Sequence, residues 1–265
     1  MYQFTYHRPD NLSAAVAQLA ADDDAKLLAG GQTLLPTMKQ RLAAPSAIID
    51  LSKIAGLAGV SREGDAIVIG AMTRHGDVAT NATVRQAIPA LAELASLIGD
   101  PQVRHRGTMG GSIANNDPSA DYPAAAVALG ATIVTNKREI AAEAFFTGLF
   151  ETALEAGEII TKVRFPIPQK AAYQKFRNPA SRYALVGVFV ARTAGGVRVA
   201  VTGAGSSGVF RANAIEAALA ANFSPSALAN VKVPAEGLNS DIHADAAYRA
   251  HLIGVLAKRA VAAIA

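Results

Sequence analysis

Cysteine is absent from all 265 residues. That excludes disulfides, a thiolate nucleophile, a zinc–thiolate site and any iron–sulfur cluster held by this chain's own cysteines. Long apolar runs are also missing. Although 51% of the residues are hydrophobic, none of the runs approaches the roughly 20 uninterrupted residues of a membrane span. Residues 1–9 lack the basic start and apolar stretch of a secretory signal, so the expected location is the cytoplasm. Charged residues reach only 17%, and this composition argues against disorder. The five histidines (His7, His75, His105, His243, His251) include no pair at an i,i+4 ligand spacing, and no metal site is expected.

The charge that is present is unevenly placed. Residues 1–170 hold 15 Lys and Arg against 17 Asp and Glu, whereas residues 171–265 hold 10 against 4. Without a basic run or an aromatic ladder, the basic end suits an acidic protein partner better than nucleic acid.

Periodicity divides the chain into three parts: 1–55, 56–168 and 169–265. The first alternates strand and helix: strand 2–7, helix 12–21, strand 26–29, helix 35–42 and strand 47–50, a small α/β unit. The second opens with a hairpin of 57–61 and 66–69 joined by Arg62-Glu63-Gly64-Asp65. Helical patterning over 75–98, broken at Pro89, leads into a Gly/Asn/Asp/Pro-rich loop at 99–120. A helix at 122–129 and strands at 132–135, 139–142 and 158–165 complete it. Pro166-Ile167-Pro168 marks the next boundary. The third part carries a strand at 172–176, a hairpin of 185–193 and 197–202 turned by Gly195-Gly196, and helices at 212–221, 225–230 and 244–263.

Three glycine-rich segments carry the chemistry. In Leu27-Leu28-Ala29-Gly30-Gly31-Gln32-Thr33-Leu34-Leu35-Pro36, a strand ends in two glycines before a helix. Successive unobstructed N–H groups beside a helix N-terminus suit a pyrophosphate; an ordinary left-handed turn is the other reading. Arg106-Gly107-Thr108-Met109-Gly110-Gly111-Ser112-Ile113-Ala114-Asn115-Asn116-Asp117-Pro118-Ser119-Ala120-Asp121 packs two glycines, small polar residues and two carboxylates into one stretch. Burial of so polar a loop calls for partners, which a hydroxylated ligand would supply, with Asp121 accepting from a hydroxyl. A self-satisfied surface turn is the alternative. Gly203-Ala204-Gly205-Ser206-Ser207-Gly208 matches the dinucleotide pattern GxGxxG. Its strand belongs to a hairpin rather than a βαβ unit, and no acidic residue follows at the required distance. Arg104-His105-Arg106 reads as a solvated edge or an anion contact. Tyr173, Phe176 and Tyr183 flank Lys175, Arg177 and Arg182, as packing or as groups near a cofactor.

The ordered pair Ala29-Gly30-Gly31-Gln32-Thr33-Leu34-Leu35-Pro36 and Thr108-Met109-Gly110-Gly111-Ser112-Ile113-Ala114-Asn115, followed by Asp117-Pro118-Ser119-Ala120-Asp121-Tyr122-Pro123, resembles the FAD-binding medium subunit of the xanthine dehydrogenase and carbon monoxide dehydrogenase group. The similarity spans essentially the whole chain. It implies an α+β architecture: a two-subdomain, non-Rossmann FAD-binding fold of the vanillyl-alcohol-oxidase/PCMH type. A C-terminal α+β domain with a small antiparallel sheet and a helical bundle follows. FAD is expected to lie extended between the first two parts, its diphosphate on both glycine segments. The implied cofactor contacts are Leu28, Ala29, Gly30, Gly31, Gln32, Thr33, Leu34, Thr108, Gly110, Gly111, Ser112, Asn115 and Asp121, with Ile160 and Lys175 near the flavin end. Ile98 stands where some relatives place an aromatic.

The resemblance further implies an electron relay with no acid–base residue of its own. Electrons would come from a small [2Fe–2S] subunit, fed by a molybdopterin-containing large subunit in a dimer of heterotrimers, and leave to an external acceptor. A self-contained FAD-dependent reductase of the same fold is the alternative function. A scaffold that has lost its flavin is a third reading, disfavoured by the intact glycine pairs.

Overall fold

Three parallel strands open the computed structural model, which describes residues 1–264. They are β1 (Thr5–His7), β2 (Lys26–Leu28) and β3 (Ala47–Asp50), arranged β1-β3-β2. Parallel neighbours need crossover connections, supplied here by α1 (Leu12–Ala20) and α2 (Leu34–Lys39). Asn11 starts α1 by accepting from the Ala14 amide at 2.8 Å, satisfying one of the donors a helix leaves open. The central β3 is the most buried strand, and Ile49 packs with Ala15, Ala25 and Leu57 in a small core.

The middle part is built on an antiparallel sheet of β4 (Val60–Glu63), β5 (Ala66–Gly70), β6 (Thr132–Thr135), β7 (Glu139–Ala141) and β10 (Ile160–Pro166), in the order β4-β5-β10-β6-β7. Helical pattern over 75–98 resolves into three helices, α3 (His75–Thr80), α4 (Ala82–Ala87) and α5 (Pro89–Ser96). Asn81 ends the first and caps the second through the Val84 amide, and Pro89 opens the third, where its missing N–H costs nothing.

Residues 99–120 correct the expectation of a loop: they contain α6 (Pro101–Arg106) and α7 (Met109–Asn115). Asp100 caps α6 through the Val103 amide at 2.8 Å and Pro101 takes its first position. Thr108 caps α7, so Gly110 and Gly111 lie in a helical first turn despite glycine's poor propensity. Helix α8 (Tyr122–Leu129) is buried along its whole length. The short α9 (Ala142–Phe145) and the two-stranded pair β8 (Phe146–Gly148) and β9 (Glu151–Thr152) were not foreseen from periodicity.

The last part is a four-stranded antiparallel sheet, β11 (Lys170–Arg177), β12 (Ala184–Thr193), β13 (Gly196–Thr202) and β14 (Phe210–Arg211). Helices α10 (Asn213–Ala221) and α11 (Ala246–Ala262) cover one face. The segment predicted as a helix at 225–230 is a 3₁₀ turn, Pro225–Leu228. Strand β12 is apolar without alternation because both its faces are covered. Phe189 and Ala191 join the core of the middle part, whereas Val186, Val188 and Val190 join that of α10 and α11. No helix among the described residues is long and apolar enough to cross a membrane.

Candidate functional site

The first glycine segment leaves β2 at Leu28 and turns through Gly31, whose φ of +73° lies in the left-handed region. Gly30 is required for a different reason. A Cβ there would stand 2.3 Å from the Arg106 carbonyl oxygen and 2.7 Å from the Gly107 Cα, so the backbone of the second segment occupies the space a side chain would need. Gly111 faces back: a Cβ on it would lie 3.4 Å from that of Ala29. The two segments, remote in sequence, are packed against each other.

Their backbone donors are not equivalent. The amides of Gly30, Gly31, Gln32 and Thr33 have no backbone partner among the described residues. In the second segment Met109 donates to the Thr73 carbonyl at 2.9 Å and Gly110 to the Ala71 carbonyl at 2.7 Å. Gly111 donates to the Thr108 hydroxyl at 3.2 Å. The first segment therefore offers open N–H groups, and the second offers close approach: a Cβ on Gly110 would meet that of Ala71 at 2.5 Å.

Both segments open into one cleft of about 860 Å³ between the first and middle parts, whose wall also includes Lys175 and residues 180–183. That size lies within the roughly 300–1,000 Å³ of cofactor sites. All fifteen residues expected at the cofactor line it: Leu28 through Leu34, Thr108, Gly110, Gly111, Ser112, Asn115, Asp121, Ile160 and Lys175. Ile98 is on the wall as well. Asp117 and Tyr183, whose place beside a cofactor the sequence left open, are on the wall too, and so is His75, which carries no local sequence signal and reaches the cleft through tertiary packing.

Asp121, before α8, is 4% exposed. It accepts from the Lys175 ammonium at 2.8 Å and from the Tyr173 hydroxyl at 2.5 Å. Burial pushes its carboxyl above the usual range, while the Lys175 charge and these hydrogen bonds pull against that rise. His75 is buried with no partner for Nδ1, and desolvation, aided by the Arg104 guanidinium, lowers its pKa to about 4. It lines the cleft as a neutral ring at pH 7.

Much of the remaining polarity of residues 99–121 is met within the fold. Asn116 donates to the Gly148 and Glu151 carbonyls, both at 2.8 Å, and Thr202 donates to the Ala120 carbonyl at 2.6 Å. Arg104 donates to the carbonyls of Ile98 and Gly99, bracing a turn. The third glycine segment is a turn whose glycines are forced by backbone. A Cβ at Gly203 would meet the Ala184 carbonyl at 2.4 Å, and one at Gly205 the Gly208 carbonyl at 2.4 Å. It leads into strand β14, not a helix, and stands outside the cleft.

Residues 2–168 match the family described as FAD binding domain in molybdopterin dehydrogenase. The chain is 36% identical over 275 residues to the carbon monoxide dehydrogenase medium chain of Hydrogenophaga pseudoflava, covering 98% of this chain and 96% of that one. It is 35% identical to the nicotine 6-hydroxylase medium subunit of Paenarthrobacter nicotinovorans, covering 97% and 95%. The solved carbon monoxide dehydrogenase from Hydrogenophaga pseudoflava lacking the Mo-pyranopterin moiety superposes with a TM-score of 0.90, at 38% identity and 98% and 96% coverage. The resemblance carried by the two glycine segments is thus borne out over the chain's full extent. This chain belongs to the FAD-binding subunits of the molybdenum hydroxylases, and its cofactor is FAD.

Proposed function

We propose that this chain is the electron-relay subunit of a molybdenum hydroxylase and holds FAD extended in the cleft. The observation that carries the placement is the meeting of Gly30 with Arg106 and Gly107, beside a run of unpartnered amides at Gly30 to Thr33. Such donors, next to the start of α2, suit the anionic diphosphate. Gln32, Thr33, Ser112 and Asn115 add polar side chains along the wall, in keeping with a hydroxylated ribityl chain. The unpartnered Nδ1 of His75 is a further polar group awaiting a partner. Ile160 and Lys175 then face the flavin end.

Bound FAD supplies reversible two-electron chemistry; the chain's own residues bind it, orient it and keep water from it. In this reading a small subunit with [2Fe–2S] clusters delivers electrons, a molybdopterin-containing large subunit oxidises the substrate, and an external acceptor removes the electrons. The assembly is a dimer of heterotrimers in the cytoplasm. The chain divides into FAD-binding parts at 1–55 and 56–168 and a C-terminal flavoprotein domain at 169–265, a division supported by the three larger sheets, one in each part.

Gly111→Asp tests the placement. It sets a carboxylate beside Ala29 and the open amides, where like-charge repulsion against a diphosphate costs several kcal/mol. The expected result is a folded chain, unchanged in circular dichroism, that no longer retains FAD. A folded variant that keeps one FAD per chain overturns the placement. Co-purification of the tagged wild-type chain with an iron–sulfur subunit and a molybdenum subunit tests the relay; a yellow chain that purifies alone and reduces an acceptor by itself favours the reductase alternative.

A further inference from the structure

We infer that Tyr173 is a positioning residue which, through Asp121, fixes the Lys175 ammonium on the cleft wall and so sets the reduction potential of the bound flavin. The inference rests on FAD occupying the cleft as proposed above.

Tyr173 and Lys175 are two residues apart on β11 and therefore project from the same face of the sheet. That face looks toward the middle part, where Asp121 precedes α8. The three side chains form a buried unit: Tyr173 is 1% exposed and the Lys175 side chain 1%. The ammonium donates to Asp121 Oδ2 at 2.8 Å and to the Leu97 carbonyl at 3.1 Å. The Tyr173 hydroxyl donates to the other carboxylate oxygen, Oδ1. The fold makes room for that hydroxyl. A Cβ at Gly187, the β12 residue paired with Lys175, would lie 2.3 Å from it, so β12 carries glycine at the one position where the tyrosine reaches across.

Lys26 and Arg182 also line the cleft, but both are exposed and their fields are weakened by water. Lys175 is the buried cation of the wall, in surroundings where a charge acts strongly. Accepting two electrons and one proton leaves a flavin with one added negative charge, so a nearby ammonium raises its potential. How much of that positive charge reaches the cleft depends on Asp121. With the Tyr173 hydroxyl on Oδ1, part of the carboxylate charge is held by the tyrosine. Without it, the carboxylate draws more fully on the ammonium. Tyr173 thus acts on the cofactor through two other side chains.

The experiment uses the FAD-loaded protein and measures three things: FAD content, melting temperature, and the midpoint potential by spectroelectrochemical titration at one pH. Lys175→Gln is expected to lower the potential most. Tyr173→Phe is expected to lower it less, and Tyr173→3-fluorotyrosine, whose shape is unchanged but whose phenol is a stronger donor, to raise it. A potential that moves in Lys175→Gln but stays at the wild-type value in both Tyr173 forms overturns the inference and leaves Tyr173 a packing residue that alters only the melting temperature. A potential unmoved in all three forms, with full FAD content, overturns it by separating the flavin ring from Lys175. That outcome is distinct from the loss of the cofactor placement, which FAD retention by Gly111→Asp reports. If Tyr173→Phe does not fold, the fluorotyrosine form decides.

Discussion

Gly30 and Gly31 are adjacent, yet they are glycines for different reasons. Gly31 needs a positive φ. Gly30 needs no side chain, because the Arg106 carbonyl stands 2.3 Å from where a Cβ would be. Gly30→Ala must push the two segments apart, at about 1–3 kcal/mol for overpacking. It should therefore lower both the denaturation midpoint and FAD affinity, as read by urea titration and by flavin release on dilution. His75 makes stability depend on pH. Its pKa falls from 6.5 to about 4 in the folded chain, so between those values the unfolded chain binds a proton that the folded chain does not. The contribution of the neutral ring is complete above about pH 6.5 and is lost as pH falls, reaching about 3 kcal/mol near pH 4. Unfolding free energies measured from pH 7 to 4 should show this slope, and His75→Phe should flatten it.

Short elements depend on their caps. Helices α6 and α7 have six and seven residues, too few for a periodicity to emerge from a glycine-rich stretch. The signals were the residues before them: Asp100 followed by proline, and Thr108 three residues before the amide it accepts. In α7, Gly110 and Gly111 argue against a helix locally, and the Thr108 cap together with the contacts to Ala71 and Thr73 offsets that preference. Tertiary ties matter equally at the C-terminal helix. Arg249 on α11 donates to the Leu185 carbonyl at 2.7 Å, the Gly203 carbonyl at 3.0 Å and Asp241 at 2.6 Å, joining the helix to the ends of β12 and β13. Arg249→Met keeps the bulk but strands two buried carbonyls. A loss of about 2–4 kcal/mol is expected in denaturant unfolding, with protection from hydrogen exchange falling first at 184–186 and 202–204.

At the scale of the whole molecule, the core ignores the boundary at residues 166–168. The family match ends at residue 168, but Tyr173, Phe189, Ala191 and Ala200 belong to the same hydrophobic core as α5 and α8. A fragment ending at residue 168 would expose that apolar face and lose Lys175 from the cleft. It should bind a hydrophobic dye, elute as aggregates in size-exclusion chromatography and retain no FAD. A monomeric fragment with bound FAD would show that the third sheet is dispensable.

Residue order alone determined the strand–helix alternation of the first part, the hairpins, the absence of any thiol chemistry and the two glycine segments. Each of these is written in local spacing or composition. Tertiary structure decided which glycine amides stay open, that Asp121 is held between Lys175 and Tyr173, and that His75 reaches the cleft with an unpartnered nitrogen. These depend on groups far apart in the chain, and no local pattern encodes which distant carbonyl or side chain will take up a donor. The physical reason is that backbone propensity acts over a few residues, whereas hydrogen-bond satisfaction and close packing are settled only when the whole core is assembled.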